Sequence, residues 1–307
     1  MRFTKPSMTI PEQLAKLQAR GLQVVDRATA EHCLRYVGYY RLSAYALTFQ
    51  DCTKPGKPFR PGTTFEQLID LYRFDRELRL LVLDAIERVE VAVRSALNNE
   101  LCLRHGPHWF MAGAHFHGEF GHAKFLGELR EEYRLAADGR GPTRPHQEVF
   151  INHYYQKYGD PELPPSWMVF ETFTINTVSR MYRNLASRQL RQTLATMFGT
   201  DEVIFRGWLH TLSYVRNLCA HHARLWNRRL VIKFTVANKH HAVLDHGDSL
   251  YATAVVLRSL LRRVAPETQW HWRLRDLISR YPGLQLRAMG FPTDWQRNSF
   301  WDFPHTP

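Results

Sequence analysis

At 307 residues, with 44% hydrophobic and 13% aromatic side chains, the chain is long enough to bury a substantial core and too apolar for intrinsic disorder. Its 41 Lys and Arg against 29 Asp and Glu leave a net charge of +12, a surplus that favours a polyanionic partner without saying which one. The four cysteines are too widely spaced for a Cys-x2-Cys metal site or a disulfide framework, Met1 to Leu17 holds no signal-peptide core, and no apolar run reaches membrane-spanning length. A soluble, reduced, cytoplasmic protein that leaves the membrane alone is therefore expected.

In chain order, Thr9-Ile10-Pro11-Glu12 predicts a capping box with an early proline, and Gly21 closes that first helix. Asp26 caps a second helix over Ala28 to Val37, Gly38 interrupts, and Tyr39 to Tyr45 opens a third. Tyr39, Tyr40 and Tyr45 interleave with Arg41, a pattern that suits either a core face or a surface on which bases stack. Pro, Gly and Lys between Asp51 and Thr64 predict a loop. Leu71, Phe74, Leu78, Leu81, Ala85, Val89, Ala92 and Ala96 then recur at three- and four-residue spacing, marking a long helix from about Phe65 to Leu103. On it, Glu90 and Arg94 are set to pair at i,i+4.

Gly106 to Pro165 is loop-rich with short helices. Helices follow over Glu171 to Leu185, Arg188 to Phe198 with Gly199 as its stop, and Val203 to about Arg224. Leu230 to Val236 fits a short strand, while Ala252 to Val264 and Trp270 to Tyr281 are helical. The fold class is all-α, arranged as an N-terminal helical region (1–64), a helical core (65–230) and a mostly helical C-terminal extension (231–307), which together also suit one continuous domain.

The chemistry concentrates in Arg216-Asn217-Leu218-Cys219-Ala220-His221, continued by His222-Ala223-Arg224 and Arg228-Arg229. Arg216 supplies a permanent cation for phosphate and His221 a group that moves protons near neutral pH, the two needs of metal-free RNA cleavage. On a helix Asn217, His221 and Arg224 share a face, with Arg216 about 140° round the axis from His221. Between Asn176 and Leu230 stand nine arginines, no lysine and two acids. That bias suits phosphate recognition, with Arg180, Arg183, Arg224, Arg228 and Arg229 as candidate RNA contacts, against the alternative of a solvated basic face.

His222 beside His221 invites a metal, but neighbours on a helix point about 100° apart, so neither a metal nor another cofactor is expected. Cys219 reads as a small buried residue; as a nucleophile it would need an activating base of its own. Glu87, Arg88, Glu90 and Arg94 suit either positioning partners of the motif or a solvated helix face. In the bland alternative for the motif itself, Arg216 and His221 are a helix pair satisfied by Glu171 or Glu90.

Several segments in order resemble the Abi-like abortive-infection proteins of the AbiD/AbiF type, within the HEPN superfamily. They are Lys5-Pro6, Gly38 to Tyr45, Leu71 to Arg79, Ile86 to Arg94, Glu171 to Tyr182 and Arg216 to Arg229. The resemblance covers about residues 5–230 and implies a HEPN-like helical bundle, usually dimeric, in which two Arg-x4-6-His motifs meet to form an RNase site. It carries Arg216 and His221 over as catalytic residues with Asn217 as their polar neighbour; apart from the resemblance, Glu171, Glu90, Arg94 and His222 are candidate supporting residues. After Glu171 the family tends to a Ser-Phe-Gly turn, where this chain has Thr172-Phe173-Thr174.

The function these readings predict is a metal-independent endoribonuclease effector of phage defence, acting on RNA as a homodimer. Its toxicity would be restrained by an antitoxin protein or a bound small RNA. The alternative is a non-catalytic RNA-binding or protein-interaction module in a defence or toxin–antitoxin system.

Overall fold

The structure, a computed structural model, describes residues 2, 4, 6–136, 141–244 and 246–303. Lys5 of the Lys5-Pro6 pair lies outside them. Among the described residues the chain is all-α, with no strand. The first three helices end where local chemistry dictates. Helix α1 (Ile10–Ala19) starts at Thr9, whose hydroxyl and Glu12 form the reciprocal capping box. Helix α2 (Arg27–Tyr36) starts at Asp26, which accepts from the Thr29 N–H at 3.0 Å. Helix α3 (Tyr39–Ala46) follows Gly38, whose φ of +93° belongs to the region that glycine enters without strain.

Helix α4 (Phe65–His105) is the spine. At 1.5 Å per residue it is about 60 Å long. Thr64 and Gln67 form a second capping box at its start, and Gly106 stops it with φ +82°. Its core face follows the expected stripe to Val89, then drifts to Val93, Leu97 and Leu101, leaving Ala92 and Ala96 half-buried. A helix of 3.6 residues per turn cannot hold one face with a repeat shorter than that.

The loop-rich stretch carries α5 (His122–Glu132), α6 (Val149–Lys157) and α7 (Ser166–Val169). In place of one helix from Glu171 to Leu185 there is a single 3-10 turn at Phe170–Thr172, a break at Phe173, and α8 (Ile175–Asn184). Thr174 causes the break: its hydroxyl accepts from the Thr177 N–H, so it caps a new helix instead of continuing an old one. Helices α9 (Arg188–Met197) and α10 (Glu202–Ala220) come next, then α11 (Leu250–Val264) and α12 (Trp270–Ser279).

Helix α10 packs against α8, α4 and α9, while α11 and α12 also pack against α4, and α3 docks on its first half. Buried side chains from Leu14 to Phe303 form one connected core.

The strand expected at Leu230 to Val236 is absent. The carbonyls of Lys233 and Thr235 accept from the Thr211 hydroxyl (3.0 Å) and the Trp208 indole (2.9 Å) on α10. The Leu230 and Phe234 N–H groups donate to the carbonyls of Asp248 (2.7 Å) and Gly247 (2.8 Å). A segment pinned by side chains on one side and a loop on the other has no strand to pair with. Gly247 permits the approach, because a Cβ there would sit 1.9 Å from the Phe234 carbonyl oxygen.

Candidate active site

Helix α10 carries the motif. Asp201 caps its start by accepting from the Val203 and Ile204 N–H groups at 3.0 and 2.9 Å. It ends at Ala220, earlier than its pattern predicts. His221 is the C-cap, His222 has φ +56°, the His222 N–H donates to the Cys219 carbonyl and the Ala223 N–H to that of Leu218. This is a Schellman termination with histidine where glycine is usual. A left-handed backbone at a residue with a Cβ costs about 1–2 kcal/mol, so strain is stored one residue beyond His221.

The early stop separates residues that a continuous helix would align. His221 and Asn217 are exposed, Arg216 is half-buried, and Arg216 Nη1 lies 3.5 Å from Asn217 Oδ1. Arg224 turns away from that face and donates to the Ala44 carbonyl at 2.7 Å. No carboxylate among the described residues pairs with Arg216 or His221. The alternative in which Glu171 or Glu90 satisfies them is therefore not seen among the described residues.

The following segment is tied down from below. Asp75, fully buried on α4, accepts from the N–H groups of Leu225 (3.1 Å) and Trp226 (2.6 Å), from the Tyr45 hydroxyl (2.6 Å) and from the Arg79 guanidinium. Burial pushes the Asp75 carboxyl above the ordinary aspartate value, against the pull of Arg79, Tyr45 and the two N–H groups. Burial and the Asp75 charge also raise the Tyr45 phenol, so it remains a donor. Arg41 adds a clamp from α3, donating to the His222 carbonyl at 2.6 Å. The turn holding His221 is thus fixed by α3 and α4 together.

Tyr45 is therefore core, whereas Tyr40, 91% exposed beside Arg41, is free to stack. Asp75, Arg79 and Arg41 were not distinguishable as site-positioning residues in the sequence. The available signal was an Asp and an Arg at i,i+4 next to the apolar stripe, a position where water does not satisfy charge.

Arg94 joins Glu90 (2.8 Å) and Glu171 (3.4 Å), the latter from the turn before α8. Glu90 and Arg94 stand eleven and fifteen residues beyond Arg79, about 16 and 22 Å along the helix axis. No hydrogen bond among the described residues links this trio to Arg216 or His221.

The arginine-rich stretch is dispersed. Arg180 pairs with Glu128 at 3.3 Å and lies over the Phe120 ring. Arg188 and Arg191 flank Glu202, and Arg229 reaches Asp248 at 3.3 Å. Arg228 donates to the Arg224 carbonyl at 2.7 Å, and Arg183 is exposed. Cys219 is buried, with its thiol pushed up to about 12 by that burial, so it is no nucleophile at neutral pH.

Among the described residues no group of three or more His, Cys, Asp or Glu is placed to hold a metal ion. Asp245, which the sequence sets near His240, His241 and His246, lies outside them. Among the described residues no helix is long and apolar enough to cross a membrane.

The profile of the Abi-like protein family matches residues 32–227, from α2 to just past the motif. The chain belongs to that family. Membership points to abortive-infection defence against phage. The Abi-like region includes the Arg41 clamp, the Asp75 anchor and the whole of α10, and leaves α11 and α12 outside it. No curated protein and no solved structure gives a significant match.

Proposed function

We propose that this Abi-like protein is a metal-independent endoribonuclease with a HEPN-type site built on Arg216 and His221. The observation that carries the reading is that Arg216, in the last turns of α10, and His221, its C-cap, have no carboxylate partner among the described residues, and that the turn after them is held by Arg41 and Asp75. A structural ion pair would be paired. A site meant for an incoming phosphate leaves its cation free and fixes its backbone in advance.

In this mechanism the RNA 2′-OH attacks the adjacent phosphorus and the 5′-oxygen leaves. Arg216 holds the non-bridging oxygens, and Asn217 orients the Arg216 guanidinium. His221 takes the proton from the 2′-OH, and a second His221 gives one to the 5′-oxygen, each role typically worth about 10²–10⁴ in rate. One chain supplies one such histidine, so the complete site requires a two-fold homodimer bringing both motifs together. The products carry a 2′,3′-cyclic phosphate and a 5′-hydroxyl, and DNA, lacking the 2′-OH, is not cut. An antitoxin or small RNA restrains the activity in the cell.

The test is cleavage of single-stranded RNA in EDTA by wild type, Arg216→Ala and His221→Ala. The wild type alone cuts. Cleavage lost in EDTA and restored by Mg²⁺ refutes the mechanism. A His221→Ala protein that keeps both RNA affinity and its effect on growth assigns the chain to the binding-module alternative.

A further inference from the structure

A cavity of about 240 Å³ opens beside the motif segment, where the loop before α11 meets the turn around Arg287. Arg228, Arg229, His246, Asp248, Ser249 and Arg287 line it. Three arginines from two distant stretches line it. The one described carboxylate, Asp248, is already shared by Arg229 (3.3 Å) and Lys233 (3.5 Å). Arg228 uses Nε on the Arg224 carbonyl at 2.7 Å, which leaves both its Nη groups without a partner among the described residues. Among the described residues Arg287 bonds only the neutral Thr293 hydroxyl, through Nε and Nη2 at 3.3 and 2.9 Å.

Cations gathered in a concave site repel one another, and an anion that bridges them removes the repulsion while its oxygens match the guanidinium forks. Carboxylate ligands offer two oxygens to these donors, whereas phosphate offers three or four and more charge. Cavities for drug-sized ligands run about 300–1,000 Å³, so this one is suited to a phosphate with its sugar and not to a large cofactor.

We propose that this cavity is a phosphate-binding site, taking the phosphate group of a free nucleotide or of an RNA strand. The inference rests on the cavity and its charges, not on the ribonuclease reading. It also links occupancy to the motif: the Arg228 that would grip the phosphate holds the carbonyl of Arg224, three residues after His221.

The experiment is calorimetric titration of the full chain with inorganic phosphate at constant ionic strength, with no activity readout. Wild type binds saturably. Arg287→Gln, an exposed change that removes one guanidinium, weakens binding at least tenfold. Asp248→Asn removes the competing carboxylate and tightens it several-fold, which separates loss of a ligand group from loss of fold. No saturable binding to wild type, or equal affinity in all three proteins, overturns the proposal. A nucleoside monophosphate that binds more tightly than phosphate and competes with it assigns the site to a free nucleotide. An RNA oligonucleotide without terminal phosphates that displaces phosphate from wild type assigns it to the strand. The ribonuclease reading stands or falls separately, on His221→Ala.

Discussion

Replacing Asp75 by asparagine tests the claim that α4 holds the motif turn from beneath. Asparagine keeps the shape, but the charge goes and one oxygen becomes an NH2 donor. All four groups around Asp75 are themselves donors: Arg79, the Tyr45 hydroxyl and the N–H groups of Leu225 and Trp226. Either way the amide turns, a donor faces donors. Removing one partner of a buried ion pair costs about 3–5 kcal/mol, because the other charge stays buried and uncompensated. Arg79 is such a charge, with a side chain 5% exposed. An orphaned backbone N–H alone accounts for about 1–3 kcal/mol, so the upper half of that range applies if the amide points at Leu225 and Trp226.

In a chain of 307 residues a loss of ~3–5 kcal/mol lowers Tm by roughly 5–8 °C. The assay is urea unfolding followed by circular dichroism, with Tyr45→Phe as the graded control losing only about 1.5–3 kcal/mol for one hydrogen bond to a charged group. In the Asp75→Asn/Arg79→Met double variant the cost is less than the sum of the single costs, since the uncompensated charge is gone. An Asp75→Asn protein within about 1 kcal/mol of wild type, or a strictly additive double variant, would refute the anchoring argument.

His222→Gly, which relieves the left-handed strain at φ +56°, is expected to stabilise the fold by about 1 kcal/mol; a loss of stability in thermal unfolding would mean that the His222 side chain is itself a structural partner. Cys219, its thiol pushed up to about 12, resists alkylation in the native protein while exposed Cys52 reacts, and mass spectrometry that finds Cys219 modified first contradicts its burial. His240 and His271 are both held neutral, down to about 4, by burial foremost, with Lys239 adding to it at His240 and Arg258 at His271. The unfolded chain binds those protons first, so stability is full above about pH 6.5 and falls as pH drops towards 4. His240→Gln flattens part of that slope, and an unchanged Tm–pH profile in the variant would count against the assignment. Mixing Arg216→Ala with His221→Ala chains restores part of the RNA cleavage if the site is composite; a fully active monomer in sedimentation rules the shared site out.

Local chemistry in the sequence determined most of the helices. Thr9, Asp26, Gly38 and Gly199 mark ends because capping and left-handed turns act over a few residues, and the stripe from Leu71 to Val89 marks α4 because burial repeats with the helix. The Arg216–His221 pair was equally visible, since its meaning lies in residue type and spacing. What the tertiary structure alone decided is where that pattern stops and what holds it. Nothing in His221-His222-Ala223-Arg224 announces a helix end, because the residue that turns left-handed is a histidine kept there by Arg41 from α3. Nor does the apolar pattern of Leu230 to Val236 reveal that Thr211 and Trp208 take its carbonyls. Asp75 meets Leu225 and Trp226 across 150 residues of chain. Contacts of that separation leave no periodicity to read: they depend on which faces of distant helices the core brings together, and that is a property of the packed whole.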